Sequence, residues 1–369
     1  MRYRKSGFKV GLDVDDVLLE CVNHAIRRCN DMYEFEPPLR QSEVTQWGKS
    51  GKRTDVILDE FEKEEFYETQ PLIEGAQEFV EKLLEVADVY FVTAIKPECM
   101  GIRAKQLLKY FPNVPADHII MTTSKEMVHL DVLLDDGGHN IINTKATYPV
   151  LFRRPWNQYI TGTLAVNNYE EFFVLIEEIK TCLMDQVIDT DKPMVIALVG
   201  PSGSGKSLLA KELTKENNFG KPVSFSTRMP RPGEINGLDY NFIDKKKFDE
   251  LVNSGEIFER TVYAGEFYGT SKMEVQKVLD SGKNVVIPID MCGAMGIKNN
   301  FKNSITIFIE RRREDILKSI IERDVSVDDK VKRIVSINAE VKNKALCDFV
   351  VNNYSSIEDL AKQVKNILK

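Results

Sequence analysis

Residues 200–207 read GPSGSGKS, and the stretches on either side of them decide the fold of the second half of the chain. Upstream runs an unbroken apolar segment, Met194-Val195-Ile196-Ala197-Leu198-Val199; downstream, Leu208, Leu209 and Leu213 suggest a helix. A buried strand, a glycine-rich turn and a helix in that order make a phosphate-binding loop. Gly200, Gly203 and Gly205 let backbone N–H groups, those of Ser202 and Ser204 among them, turn inward around a triphosphate. The helix N-terminus adds its partial positive charge. Lys206 is expected to reach the β- and γ-phosphates, and Ser207 to hold Mg²⁺. The flanking strand and helix argue against a plain Gly/Ser linker, so this half is expected to bind ATP or a similar triphosphate.

A second stretch, STRMPRPGEINGLDYNF at 226–242, concerns the group that receives the phosphate. Two guanidiniums and a phenol, Arg228, Arg231 and Tyr240, suit a monoester dianion. From about Val195 to the C-terminus the chain resembles guanylate kinase. The likeness rests on GPSGSGKS, VSFSTRMPRPGEINGLDYNF, GEIFERTVYAGEFYGTS, VVIPIDMCGA and DFVVNN, in that order. It implies a P-loop nucleoside monophosphate kinase with ATP as donor and GMP or dGMP as acceptor. By the same resemblance Ser224, Arg228, Arg231, Tyr240, Tyr268 and Thr270 lie on the phosphate side of the acceptor, Ser224 also near its base. Glu259 and Asp290 match the two acids that read guanine. Guanine offers an N1–H and an N2–H₂ group, and an ionised carboxylate only accepts. Such a site rejects bases lacking those donors by roughly 10²–10⁵-fold, because a buried carboxylate left unpaired is costly.

Two departures from the family pattern stand out. Pro288, in Ile287-Pro288-Ile289-Asp290, replaces an acid near the reacting phosphates. In the lid, expected over about 311–340, Ser319 takes the place of one arginine and leaves Arg323, followed by Asp324. Arg333 fits the next lid arginine. Arg311, Arg312, Arg313 and Lys318 are candidates to supply the missing charge, since phosphoryl transfer can be neutralised from several directions.

The first half opens with FKVGLDVDDVLL at 8–19, an apolar strand ending in Asp13-Val14-Asp15. Later strands end in Thr93 and in Asp135-Asp136, with Lys125 between them. Open α/β sheets place ligands at such strand ends. This order resembles the haloacid dehalogenase superfamily, and specifically the 5'(3')-deoxyribonucleotidase group, over about residues 8–158. GLDVDDVL, EEFYETQPLIEGAQEFVEKL, VYFVTA, HIIMTTSKEMVHLDVLLDDG and LFRRPWNQ carry that likeness. It implies a Rossmann-like parallel sheet with Asp13 as nucleophile and Asp15 as general acid. Thr93 and Lys125 would hold the phosphoryl oxygens. Mg²⁺ would sit among Asp13, the Asp15 carbonyl and Asp135 or Asp136. Clustered carboxylates repel one another unless a hard cation screens them. Between Asp13 and Thr93 the chain reads mostly helical, broken at Pro37-Pro38, Gly48–Gly51 and Pro71. Residues about 18–75 are expected to form a cap, with Trp47, Phe61, Phe66 and Tyr67 as candidates to stack a base.

A chain of 369 residues allows two domains, each with its own core. The expected division is residues 1–185, a linker at 186–193, and residues 194–369. A net charge of −7 shows no basic surface for nucleic acid. The six cysteines form no CxxC pair and the four histidines no metal cluster, which suits a reducing compartment. With no signal peptide and no long apolar run, the expectation is a cytoplasmic enzyme acting on small nucleotides, monomeric or homo-oligomeric. Two alternatives stay open: an enzyme of polynucleotide end repair, and a guanylate-kinase-like binding module whose catalysis has weakened. The acidic charge speaks against the first. Pro288 and Ser319 speak for the second.

Overall fold

A computed structural model of the chain describes residues 7–48, 51–182, 188–231, 233–263 and 266–368. Residues 183–187 of the expected boundary, Gly48–Gly51 at its two middle positions, Pro232 and residues 264–265 of the quoted motifs, and the Cys182 side chain lie outside that description. The chain divides into two compact α/β units between Phe173 and Val174. Among the described residues no helix is long and apolar enough to cross a membrane.

The first unit is built on β1 (Lys9–Leu12), β2 (Asp88–Thr93), β3 (Ile119–Met121), β4 (Val132–Asp135), β5 (Tyr148–Phe152) and β6 (Leu164–Val166). They form one sheet in the order β3-β2-β1-β4-β5-β6, every neighbouring pair parallel. The apolar runs of β4 and β5 are buried along their whole length, as a parallel sheet covered on both faces requires. Strand order reverses between β1 and β4, and a crevice opens outside the carboxyl ends of strands at such a point. Asp13 follows β1 there and donates its backbone N–H to the Leu134 carbonyl at 2.9 Å.

The expected helical cap is only partly α-helical. Val22–Tyr33 and Glu64–Glu68 are α-helices, while Gln41–Glu43 and Arg53–Glu62 are 3₁₀. The longer 3₁₀ run buries Thr54, Ile57 and Glu60, a strict spacing of three that sets one 3₁₀ face inward. Phe66 and Tyr67 pack with Val22, Ile26, Ile57 and Trp156 in the core beneath. They are therefore core residues and not candidates to stack a base. Trp47, half exposed, lies parallel to Phe61 with ring centroids 5.8 Å apart.

The second unit contains β7 (Val195–Val199), β8 (Phe219–Gly220), β9 (Phe225–Ser226), β10 (Asn241–Phe242), β11 (Ile257–Tyr263), β12 (Glu266–Ser271), β13 (Asn284–Pro288), β14 (Ser304–Glu310) and β15 (Phe349–Asn352). Five strands make a parallel sheet ordered β15-β14-β7-β13-β8, with β7 in the middle. The other four make a smaller sheet ordered β10-β9-β12-β11. Helix Lys206–Leu213 begins where the glycine loop ends, and its Leu209 and Leu213 pack on Ile196, Leu198, Ile307 and Val351. Leu208, the first of the three leucines that suggest this helix, points outward at 65% exposure.

Residues 188–193, expected as linker, are fastened to this unit. Ile188 packs against its core. The Asn303 side chain accepts from the Asp189 N–H at 2.9 Å and donates to the Asp189 and Pro193 carbonyls at 3.0 and 3.1 Å.

Candidate active sites

In the first unit the sheet brings Asp13, Lys125, Asp135 and Asp136 together. Lys125 is 3% exposed, and its Nζ lies 2.8 Å from Asp13 Oδ2 and 2.7 Å from Asp135 Oδ2. Against the cost of burial, these two carboxylates hold the ammonium above its ordinary value. Burial, then the charge of Asp135, pushes the Asp13 carboxyl well up, and Lys125 opposes the rise. Asp135 has little capacity left, since it also accepts from the Gly137 N–H at 2.7 Å and from Asn140 Nδ2 at 3.0 Å. Asp136 accepts from Trp156 Nε1 at 2.8 Å through Oδ2.

Carboxylate oxygens of Asp13, Asp135 and Asp136 lie within 4.8 Å of one another, a hard all-oxygen donor set that fits Mg²⁺. The Thr93 hydroxyl is fully buried with no protein partner among the described residues, as a group reserved for a phosphoryl oxygen would be. The Asp15 side chain turns aside from this cluster. Its Oδ1 accepts from Gln70 Nε2 and from Arg103 Nη2, both at 2.7 Å.

In the second unit the loop after β7 has the left-handed backbone its glycines allow: φ is +144° at Gly200, +88° at Gly203 and +105° at Gly205. A Cβ at Gly203 would sit 3.1 Å from the Ile316 carbonyl, so the loop also needs that close approach. Lys206 Nζ donates to the Gly200 carbonyl and, at 3.1 Å, to that of Pro201. Burial lowers the ammonium from its ordinary value, with Glu340 and Asp290 opposing.

The segment expected as the lid forms the helices Arg313–Ile321 and Val327–Lys342. Arg333 Nη1 donates to the Ser202 hydroxyl at 2.8 Å, and Glu340, two turns further along the same face, accepts from the Ser202 N–H at 3.2 Å. Burial raises the Glu340 carboxyl to about 7, with Lys206 pulling it down. Of the arginine triplet, Arg311 reaches the loop, donating to the Gly203 carbonyl at 2.6 Å and to the Ser319 hydroxyl at 2.8 Å. Arg312 lies over the Tyr354 ring and Arg313 binds Asn338, away from the loop. Arg323 is exposed.

The smaller sheet forms the acceptor side. A cavity of about 450 Å³ is lined by Ser224, Arg228, Arg231, Tyr240, Glu259, Tyr268 and Thr270, with Ser207 at its loop end and Pro288 in its wall. Seven of the eight expected acceptor residues thus meet in one space. Asp290, the eighth, is exposed and caps helix Met291–Asn300 by accepting from the Gly293 N–H at 2.9 Å. A register shift between Ile257 and Glu259 sets Glu259 directly across from Thr270. Thr270 Oγ1 donates to Glu259 Oε2 at 3.2 Å, so Thr270 stands beside Glu259. Gly293 must lack a side chain here, because a Cβ would come within 2.6 Å of Glu259 Cγ. Burial, then the charge of Asp290, pushes the Glu259 carboxyl up to about 8.

Arg228 does not face the cavity uncompensated. Its Nη1 and Nη2 each donate to Glu234 at 2.6 Å, and Glu234 also accepts from the Arg231 N–H at 2.7 Å. Those bonds hold the Glu234 carboxyl down at about 2. Sequence reading passed over Glu234, although its place three residues after Arg231 was a signal. Glu340, Gln70 and Arg103 carried no such local mark.

Residues 191–369 match the family model "Guanylate kinase". Residues 8–182 match that of "5' nucleotidase, deoxy (Pyrimidine), cytosolic type C protein". The guanylate kinase of Clostridium tetani is 34% identical over 180 residues, which span 48% of this chain and 86% of the relative. That of Helicobacter pylori is 34% identical over 179 residues, 47% of this chain and 84% of the relative. Among solved structures, guanylate kinase from Anaplasma phagocytophilum is 27% identical and covers 49% of this chain and 86% of its own, with a TM-score of 0.38. The chain belongs to the guanylate kinase family through residues 191–369, and ahead of them it carries a unit that matches the cytosolic type C 5'-nucleotidases.

Proposed function

We propose that the second unit transfers the γ-phosphoryl group of ATP to GMP or dGMP, and that the first hydrolyses a deoxynucleoside 5'-monophosphate. The observation that carries the kinase reading is the cavity of about 450 Å³ whose lining includes both Ser207 of the loop and Glu259. Loop N–H groups and Lys206 hold the donor's phosphates, with Mg²⁺ at Ser207. Arg228, Arg231 and Tyr240 hold the acceptor phosphate, one of whose oxygens attacks the γ-phosphorus as the bond to the β-phosphate oxygen breaks. Arg333, Arg323 and Arg311 neutralise the charge that develops. Glu259 and Asp290 accept from the guanine N1–H and N2–H₂ groups.

In the nucleotidase reading, Asp13 attacks the phosphorus and forms an aspartyl-phosphate, while Asp15 protonates the departing 5'-oxygen. Asp15 then takes a proton from the water that releases phosphate and restores Asp13. Thr93 and Lys125 hold the phosphoryl oxygens. Mg²⁺, held by Asp13, the Asp15 carbonyl and Asp136, supplies charge neutralisation. Asp135 serves by orienting Lys125. The two activities would oppose each other on a shared substrate, so their base preferences are taken to differ and the pair to reshape a nucleotide pool.

The test is to assay kinase and phosphatase across all ribo- and deoxyribonucleoside monophosphates, in the parent, Asp13→Asn and Lys206→Ala. Each variant should lose one activity and keep the other. Kinase silence with every monophosphate would leave the second unit a binding module. If both units prefer one monophosphate, pool reshaping is wrong.

A further inference from the structure

Two buried side chains that the nucleotidase chemistry does not itself use converge on Asp15, and a third braces them. Arg103, on helix Met100–Tyr110, is 0% exposed, and its Nη2 lies 2.7 Å from Asp15 Oδ1. Gln70, 1% exposed and just ahead of Pro71 where the cap ends, donates to the same oxygen at 2.7 Å. Gln106 ties the two together. Its Nε2 donates to the backbone carbonyls of Tyr67 and Gln70 at 3.1 and 3.0 Å, and its Oε1 lies 3.5 Å from Arg103 Nη1. The Arg103 guanidinium also stacks over the Tyr67 ring at 5.5 Å. A guanidinium is costly to bury unless paired, and here its charge is spent on one carboxylate oxygen.

We propose that Arg103 and Gln70 are positioning residues that dictate which oxygen of Asp15 handles the proton. The inference rests on the reading of Asp13 as nucleophile and Asp15 as general acid. An oxygen that already accepts two N–H groups has no room for a proton of its own. Whenever the carboxyl is protonated, the proton therefore sits on Oδ2, which has no hydrogen-bond partner among the described residues. As Asp13 forms its bond to phosphorus and the bond from phosphorus to the 5'-oxygen breaks, the Oδ2 proton passes to that oxygen. In the second half, Oδ2 takes a proton from the attacking water as the bond between phosphorus and Asp13 breaks. Without the clamp the carboxyl would rotate freely and offer its proton in the wrong direction much of the time. Because Gln70 closes the cap segment, the clamp also ties the acid's orientation to the seating of the cap.

Leaving-group dependence tests this in the full chain. A nucleoside 5'-oxygen must be protonated to depart, whereas p-nitrophenolate leaves without help. Two substrates are compared: p-nitrophenyl phosphate, and whichever of dTMP, dUMP, dCMP, dAMP and dGMP the parent hydrolyses fastest. Arg103→Met should lower kcat/KM, which reports the step in which the leaving group departs, by about 10²-fold on the nucleotide, the usual worth of general acid catalysis, and far less on p-nitrophenyl phosphate. Arg103→Lys should recover part of the loss. Residual p-nitrophenyl phosphatase shows that the variant is folded. Should Arg103→Met fail to fold, Gln70→Leu must show the same selective loss. Equal losses on both substrates, or no loss, would overturn the proposal. If the parent hydrolyses neither substrate, or Asp13→Asn stays active, it is the nucleotidase reading that fails.

Discussion

The Glu340 carboxylate accepts a hydrogen bond from the Ser202 backbone N–H at 3.2 Å, across 138 residues of sequence. That N–H belongs to the loop expected to receive a triphosphate, so an anion of the protein's own lies beside the donor's place. Its carboxyl titrates at about 7, and the local charge therefore grows as pH rises through neutrality. A unit charge a few ångströms from a polyphosphate weakens binding by ~1 kcal/mol or more, about fivefold or greater. Glu340→Gln should tighten ATP binding by that factor at pH 8 and hardly at all at pH 6. Calorimetric titration with ATP at both values decides it; equal effects at the two pH values would refute the charge argument.

Glu259 makes acceptor binding pH-dependent in the opposite sense. In the empty site its carboxyl sits near 8, so at pH 7 it is mostly protonated, whereas guanine's donors call for the ionised form. Binding GMP therefore expels a proton, and KM for GMP should rise by up to about tenfold per pH unit below 8. Glu259→Gln should raise KM and flatten the profile. The shift is upward from 4.5, so the empty unit loses stability as pH climbs from there through about 8. Thermal melts of parent and Glu259→Gln at pH 6 and 8.5 measure that second effect.

The Arg228–Glu234 fork predicts a loss that leaves the chemical step alone. Glu234→Ala frees both guanidinium nitrogens it binds at 2.6 Å, and Arg228 no longer presents a fixed face to the acceptor phosphate. KM for GMP should rise about tenfold with a smaller change in kcat. Steady-state kinetics with saturating ATP separate the two. A fall in kcat at unchanged KM would show that the fork serves the transition state instead.

Lys125 bridges two buried carboxylates, and removing it leaves both uncompensated. Lys125→Met should cost the first unit about 3–5 kcal/mol and abolish hydrolysis. Mg²⁺, by screening the same carboxylates, should restore part of the melting temperature but none of the activity. In the parent, EDTA should stop hydrolysis and Mg²⁺ restore it. Differential scanning calorimetry and phosphate release in parallel give both readouts.

What the sequence made legible were residues whose neighbours in the chain share their task. Gly200 to Ser207 form a single turn between a strand and a helix, and Asp13, Thr93 and Asp135 each end an apolar run. Contacts made across the fold left no such trace. Glu340 looks like an ordinary charge on a polar helix until Ser202 is placed beneath it. Arg103 lies on a helix with two further basic residues after it, Lys105 and Lys109, and only its burial sets it apart. Phe66 and Tyr67 misled for the converse reason, because an aromatic at helical spacing looks the same whether it packs inward or lines a site. The 3₁₀ run at Arg53–Glu62 escaped notice because its buried face repeats every three residues, close enough to a helix to be read as one.

The hold of Asn303 on Asp189 and Pro193 has a practical consequence. Severing the polypeptide just before Met194, where the central strand begins, would strip away a strap that this asparagine binds through both ends of its amide and lift Ile188 off the core. A separable kinase therefore starts upstream of Ile188. A cut at the edge of the kinase's first strand would fall inside the folded body, because the residues before that strand are already part of it.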